Sequence, residues 1–80
     1  MVDYLEEVKK ITEKQFGLEE DSVEEDSFLE SELNITELDL EDLIAVLEDK
    51  YQIRIPQEDY SKFKQISDIA AYLYEHVEQA

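Results

Sequence analysis

The sequence predicts an all-α fold of four helices, with a long first loop and a short third helix. Only one Gly and one Pro occur in 80 residues. Good helix formers abound, and apolar residues recur at three- and four-residue spacing in separate segments. A chain of this length builds one core, so residues 1–80 are expected to form a single domain.

The first helix is expected from Asp3 to Phe16, where Tyr4, Leu5, Val8, Ile11 and Phe16 make one apolar stripe. Asp3 suits the N-cap, and Gly17 suits the left-handed residue that ends a helix. From Leu18 to Thr36 the periodicity lapses into Glu, Asp and Ser. A loop this long needs apolar anchors, for which Val23, Phe28 and Leu33 are the candidates, and Ser22 to Glu25 could close a short turn.

The second helix is expected to start at Glu37, with Thr36 as N-cap and Asp39 three residues on as the acid of a capping box. At 100° per residue, Leu40, Leu43, Ile44, Leu47 and Tyr51 share a core face, and the helix ends near Lys50 or Tyr51. Leu38 and Ala45 fall opposite that face, bordered by Glu41, Asp42 and Asp49. A leucine opposite the core stripe has no folding reason to be there, although single exposed leucines are common.

Ile53-Arg54-Ile55-Pro56 reads as an extended connector with both isoleucines inward. A short helix over Gln57 to Phe63 should turn Tyr60 and Phe63 to the core. A last helix from Ile66 to Val77 should bury Ile66, Ile69, Ala70, Leu73 and Val77.

With 7 Lys+Arg against 23 Asp+Glu the formal charge is -16, which disfavours nucleic acid or anionic lipid and favours a protein partner with a basic surface. Acidity that serves solubility alone is the plainer alternative. The absence of cysteine rules out disulfides, thiolate metal sites and cysteine nucleophiles. Neither a basic, apolar leader nor the roughly 18 apolar residues of a membrane span is visible, so a cytoplasmic protein without membrane insertion is expected.

Val8-Lys9-Lys10-Ile11, Gln15-Phe16-Gly17-Leu18, Asp26-Ser27-Phe28, Leu33 to Leu40 and Tyr51 to Pro56 together resemble the acyl carrier protein family along the whole chain. The resemblance implies an acidic four-helix bundle whose second helix is read by partner enzymes. In that family an Asp-Ser-Leu motif opens the second helix, and its serine accepts phosphopantetheine. The matching triplet here is Thr36-Glu37-Leu38, so Glu37 stands at the serine's position and the cofactor is not expected. A carboxylate there would give no stable phosphodiester. Thr36 is the nearest alternative acceptor only if the register slides by one residue, at the expense of Leu33 and Leu38. The resemblance further implies that Leu38, Glu41, Asp42, Ala45, Glu48 and Asp49 form the partner-binding surface.

The expected function is thus a non-catalytic, carrier-like docking module acting as adaptor, regulator or decoy for a biosynthetic enzyme, and monomeric. Two alternatives stay open: a true acyl or aminoacyl carrier modified at Thr36, Ser27 or Ser31, and a binder of a non-covalent acyl chain. Other constellations carry less. Asp39, Glu41 and Asp42 lack the spacing and glycine of a calcium loop, so no metal site is expected beyond weak divalent-ion screening. His76 suits the dipole of the last helical turn, and Asn34-Ile35-Thr36 matches the glycosylation pattern by coincidence. The five tyrosines are dispersed among acids and are expected at core or boundary positions.

Overall fold

The structure is a computed structural model and describes residues 2–78. Helix α1 spans Tyr4–Phe16. Asp3 Oδ1 accepts the Glu6 N–H at 3.1 Å, and Gly17 closes the helix at φ 66° with its own N–H on the Glu13 carbonyl. Both caps satisfy groups that a helix end leaves without partners.

Helix α2 spans Glu37–Tyr51, as its cap predicts. Thr36 Oγ1 accepts the Asp39 N–H and Asp39 Oδ2 accepts the Thr36 N–H, each at 3.2 Å. Leu40, Leu43, Ile44 and Leu47 are buried and Tyr51 is half-buried, so the core face lies where the 100° periodicity puts it. Gln52, at φ 55°, takes the left-handed position that ends the helix.

A 3-10 helix covers Gln57–Lys62, and helix α3 covers Ile66–Leu73 before widening into a π-helical turn over Tyr74–Glu78. The expected single α-helix from Ile66 to Val77 is therefore shorter in its regular part. Asp68 Oδ2 starts α3 by accepting the Gln65 N–H at 2.9 Å and the Lys64 N–H at 3.1 Å. Ile66, Ile69, Ala70 and Leu73 are buried, and Val77 packs against the same core. Helix α1 lies along α3, and among the described residues the elements are helices with one isolated antiparallel bridge between Phe28 and Gln65.

That bridge corrects the expected loop anchors. Val23 is buried and Leu33 half-buried, but Phe28 is 46% exposed. The buried residues are Leu29 and Ile35 instead. Phe28 is the bridge residue and Leu29 opens the turn that follows it, and only Leu29 of the pair faces inward. The Leu29 N–H bonds the Lys64 carbonyl at 2.9 Å and the Ile35 N–H bonds the Leu29 carbonyl at 2.8 Å, which holds Leu29 over the core. The turns fall on either side of the expected Ser22 to Glu25. The Ser22 N–H meets the Glu19 carbonyl and the Ser27 N–H meets the Glu24 carbonyl, both at 3.1 Å. Ile55 is buried and Ile53 half-buried, which places the connector inward as its alternation predicts. Of the five tyrosines, Tyr4 and Tyr72 are core, Tyr51 and Tyr60 are half-buried, and Tyr74 is exposed.

Candidate functional site

The capping box sets where α2 starts, and that start sets everything the helix presents. Glu37 is its first residue, is exposed, and stands beside Thr36, whose hydroxyl is engaged as the cap. One residue on, Leu38 is 74% exposed, the most open large apolar side chain of the described chain. Glu41, Asp42, Ala45 and Asp49 are exposed along the same side of the helix. Among the described residues, the carboxylates of Glu37, Glu41, Asp42 and Asp49 take part in no hydrogen bond or ion pair within the chain. A row of unpaired carboxylates around an apolar residue makes a field of one sign, which attracts cations and repels anions.

Glu48 behaves differently from its expected neighbours on that face. It is half-buried, and its Oε2 accepts the Ile55 N–H at 2.7 Å, tying the last turns of α2 to the connector. The chain doubles back after Gln52 and brings the Ile55 amide onto the flank of α2, and Glu48 supplies the acceptor that this amide needs. Val46, absent from the sequence-based site, is 37% exposed at the edge of the outward face. The first cation of the helix is Lys50, and its Nζ lies 4.0 Å from Glu7 Oε1 on α1.

Beside the start of α2 lies a groove of about 380 Å³ between the loop, the helix and the 3-10 segment. Leu29, Ile35, Leu40 and Phe63 supply its apolar floor, while Phe28, Glu37 and Lys64 stand along it. Sequence reasoning missed it because its walls come from residues 28–31, 35–40 and 60–64, which share no local pattern.

The 3-10 wall is held by Tyr72, whose hydroxyl donates to Asp59 Oδ2 at 2.8 Å. Lys62 Nζ joins the same carboxylate at 3.1 Å. Burial and the facing Asp59 carboxylate push the Tyr72 phenol up to about 12. The Tyr72 hydrogen bond, with Lys62 beside it, holds Asp59 below its ordinary value. His76 stacks flat on Tyr72 with ring centroids 3.8 Å apart, its Nδ1 3.1 Å from the Tyr72 carbonyl oxygen. No cluster of three or more His, Cys, Asp or Glu side chains among the described residues has a metal-holding arrangement, and no described helix is long and apolar enough to cross a membrane.

No family model matches the chain. Whole-length relatives do. The chain is 40% identical over 74 residues to an acyl carrier protein of Brachyspira hyodysenteriae, covering 90% of this chain and 94% of the relative. It is 33% identical over 72 residues to an acyl carrier protein of Helicobacter hepaticus, covering 90% and 95%. It is 34% identical over 71 residues to one of Chlamydia trachomatis serovar L2, covering 89% and 92%.

Proposed function

The chain belongs to the acyl carrier protein family, and from that premise we propose that it is a carrier-like docking module that works without a covalent arm. The supporting observation is the start of α2, where a carrier needs an alcohol and this chain has the Glu37 carboxylate. Attachment of phosphopantetheine requires an oxygen nucleophile whose phosphate ester survives in water. A carboxylate would give an acyl phosphate, which hydrolyses, so the residues at this helix start do not fit the group. The neighbouring hydroxyls are poor substitutes. Thr36 Oγ1 is engaged as the helix cap, and Ser27 is buried with its Oγ accepting the Glu24 N–H at 3.0 Å. Ser31 is exposed but lies in the loop, six residues before Glu37.

The module acts by presenting its second helix. Leu38 and Ala45 supply apolar contact, and Glu41, Asp42 and Asp49 supply charge to a partner protein with a basic surface. Paired charges of this kind mainly accelerate encounter and fix orientation, whereas an apolar anchor contributes most of the affinity once it is buried. The chain itself performs no catalysis in this reading. It adapts, regulates or competes at a surface of a biosynthetic enzyme that handles loaded carriers. Binding of the purified chain to a phosphopantetheinyl transferase or an acyl-chain synthase, measured by calorimetry, tests it. Leu38→Ala and Glu41→Lys should each weaken capture with a melting temperature within a few degrees of the wild type. Unfolding by either variant, or capture unaffected by both, contradicts the reading.

A further inference from the structure

Helices α1 and α3 pack side by side, and their shared edge carries an apolar surface that the core does not cover. An open hollow of about 460 Å³ lies there, walled by Val2, Asp3 and Leu5 at the start of α1 and by Tyr74 just past α3, with Ala70 and Ala71 between them. Val2 is 39% and Tyr74 43% exposed. Ala71 is exposed too and has only a methyl group to fill the space, so the Tyr74 ring stands beside a depression. A ring beside a depression is a self-complementary shape, because across a twofold axis each ring enters the other copy's depression.

Charge selects the occupant. Helix α1 is neutral, with Glu6, Glu7 and Glu13 against Lys9, Lys10 and Lys14, and α3 adds only Asp68. Asp3 is the one charged residue lining the hollow, and its Oδ1 is engaged on the Glu6 N–H. The loop, α2 and the 3-10 segment hold most of the formal charge of -16. A cationic partner is drawn to those acidic elements, whereas two copies of the chain repel each other least across the edge where the charge is lowest. Asp3, Glu75 and the net charge still oppose their approach, so salt should favour it.

We propose that the α1–α3 edge pairs two copies of this chain about a twofold axis, with Tyr74 of each copy over the Ala70–Ala71 floor of the other. This departs from the monomer expected from the sequence. None of the residues lining the hollow belongs to α2, so the pair leaves both Leu38 faces open and does not depend on what α2 binds.

Sedimentation velocity of the untagged chain, from micromolar to millimolar concentration, tests it. The mass should move towards the dimer at the upper end. The dimer should tighten as ionic strength rises from about 0.01 to about 0.15 M, which shortens the Debye length from about 30 to about 8 Å. Amide NMR shifts over the same dilution series should fall on residues 2–5 and 70–74. Ala71→Glu and Tyr74→Ser, both at exposed positions, should stay folded by circular dichroism and weaken self-association by about tenfold or more. Leu38→Ala, on α2, should dimerise as the wild type does. Monomer mass at millimolar chain in the higher salt overturns the proposal. So does self-association that Ala71→Glu leaves intact, that Leu38→Ala abolishes, or that rising salt weakens.

Discussion

Glu13 Oε2 accepts the Val23 N–H at 3.2 Å, although Glu13 sits in the last turn of α1 and Val23 ten residues further along in the loop. Both residues are buried, so this bond replaces the water that the Val23 amide would otherwise need. Glu13→Ala should destabilise the fold by about 1–3 kcal/mol, because it leaves a buried donor without a partner. Glu13→Gln, whose amide oxygen can still accept, should lose less. Denaturant melts of the two variants check the ranking, and equal losses would show that the side chain's bulk, not its oxygen, holds the loop.

Thr12 gives the opposite case. It is fully buried, and its Oγ1 has no hydrogen-bond partner. Valine has nearly the same shape without the hydroxyl, so Thr12→Val should stabilise the chain by roughly 1 kcal/mol. A lower melting midpoint for this variant would reveal a partner for the hydroxyl.

The Tyr72–Asp59 bond predicts behaviour at high pH. The Tyr72 phenol rises from 10.0 to about 12 on folding, so between those values the native state holds a proton that the unfolded state has released. Its contribution is complete below pH 10 and disappears as pH climbs to about 12. Tyr51 and Tyr4 are raised as well, Tyr51 mainly by burial and then by its hydrogen bond to Glu7, and both act in the same direction. Stability should therefore fall over this window, and Tyr72→Phe should make the fall shallower. At the acid end Asp59 acts with the opposite sign. Its depressed value stabilises the fold above pH 3.8 and ceases to as pH drops further. Denaturant midpoints across both ranges report the slopes.

Much of the fold is legible in the residues because its signals are local. Asp3 and Gly17 bracket α1, Thr36 and Asp39 close a box within four residues, and the α2 stripe needs only the 100° period. The loop is less legible. Phe28 and Leu29 are equally apolar, and which one turns inward is decided by pairing with Lys64 and Gln65, 35 or more residues away. The outward face of α2 follows from the same periodicity as its core face, so Leu38, Glu41, Asp42 and Ala45 could be placed from sequence. Glu48 could not, since its engagement with Ile55 depends on where the chain returns after the helix. The groove beside Glu37 was hidden for the same reason, being assembled from three segments that meet only in the folded chain.

On the proposed function α2 docks a partner while position 37, a carboxylate at the helix start, takes no covalent arm. Incubation of the chain and of Glu37→Ser with coenzyme A and a promiscuous phosphopantetheinyl transferase, read by intact mass, tests it most directly. The wild-type chain should stay at its unmodified mass, and Glu37→Ser should gain one phosphopantetheinyl group. An adduct on the wild-type chain, or none on a folded Glu37→Ser variant, would contradict the account.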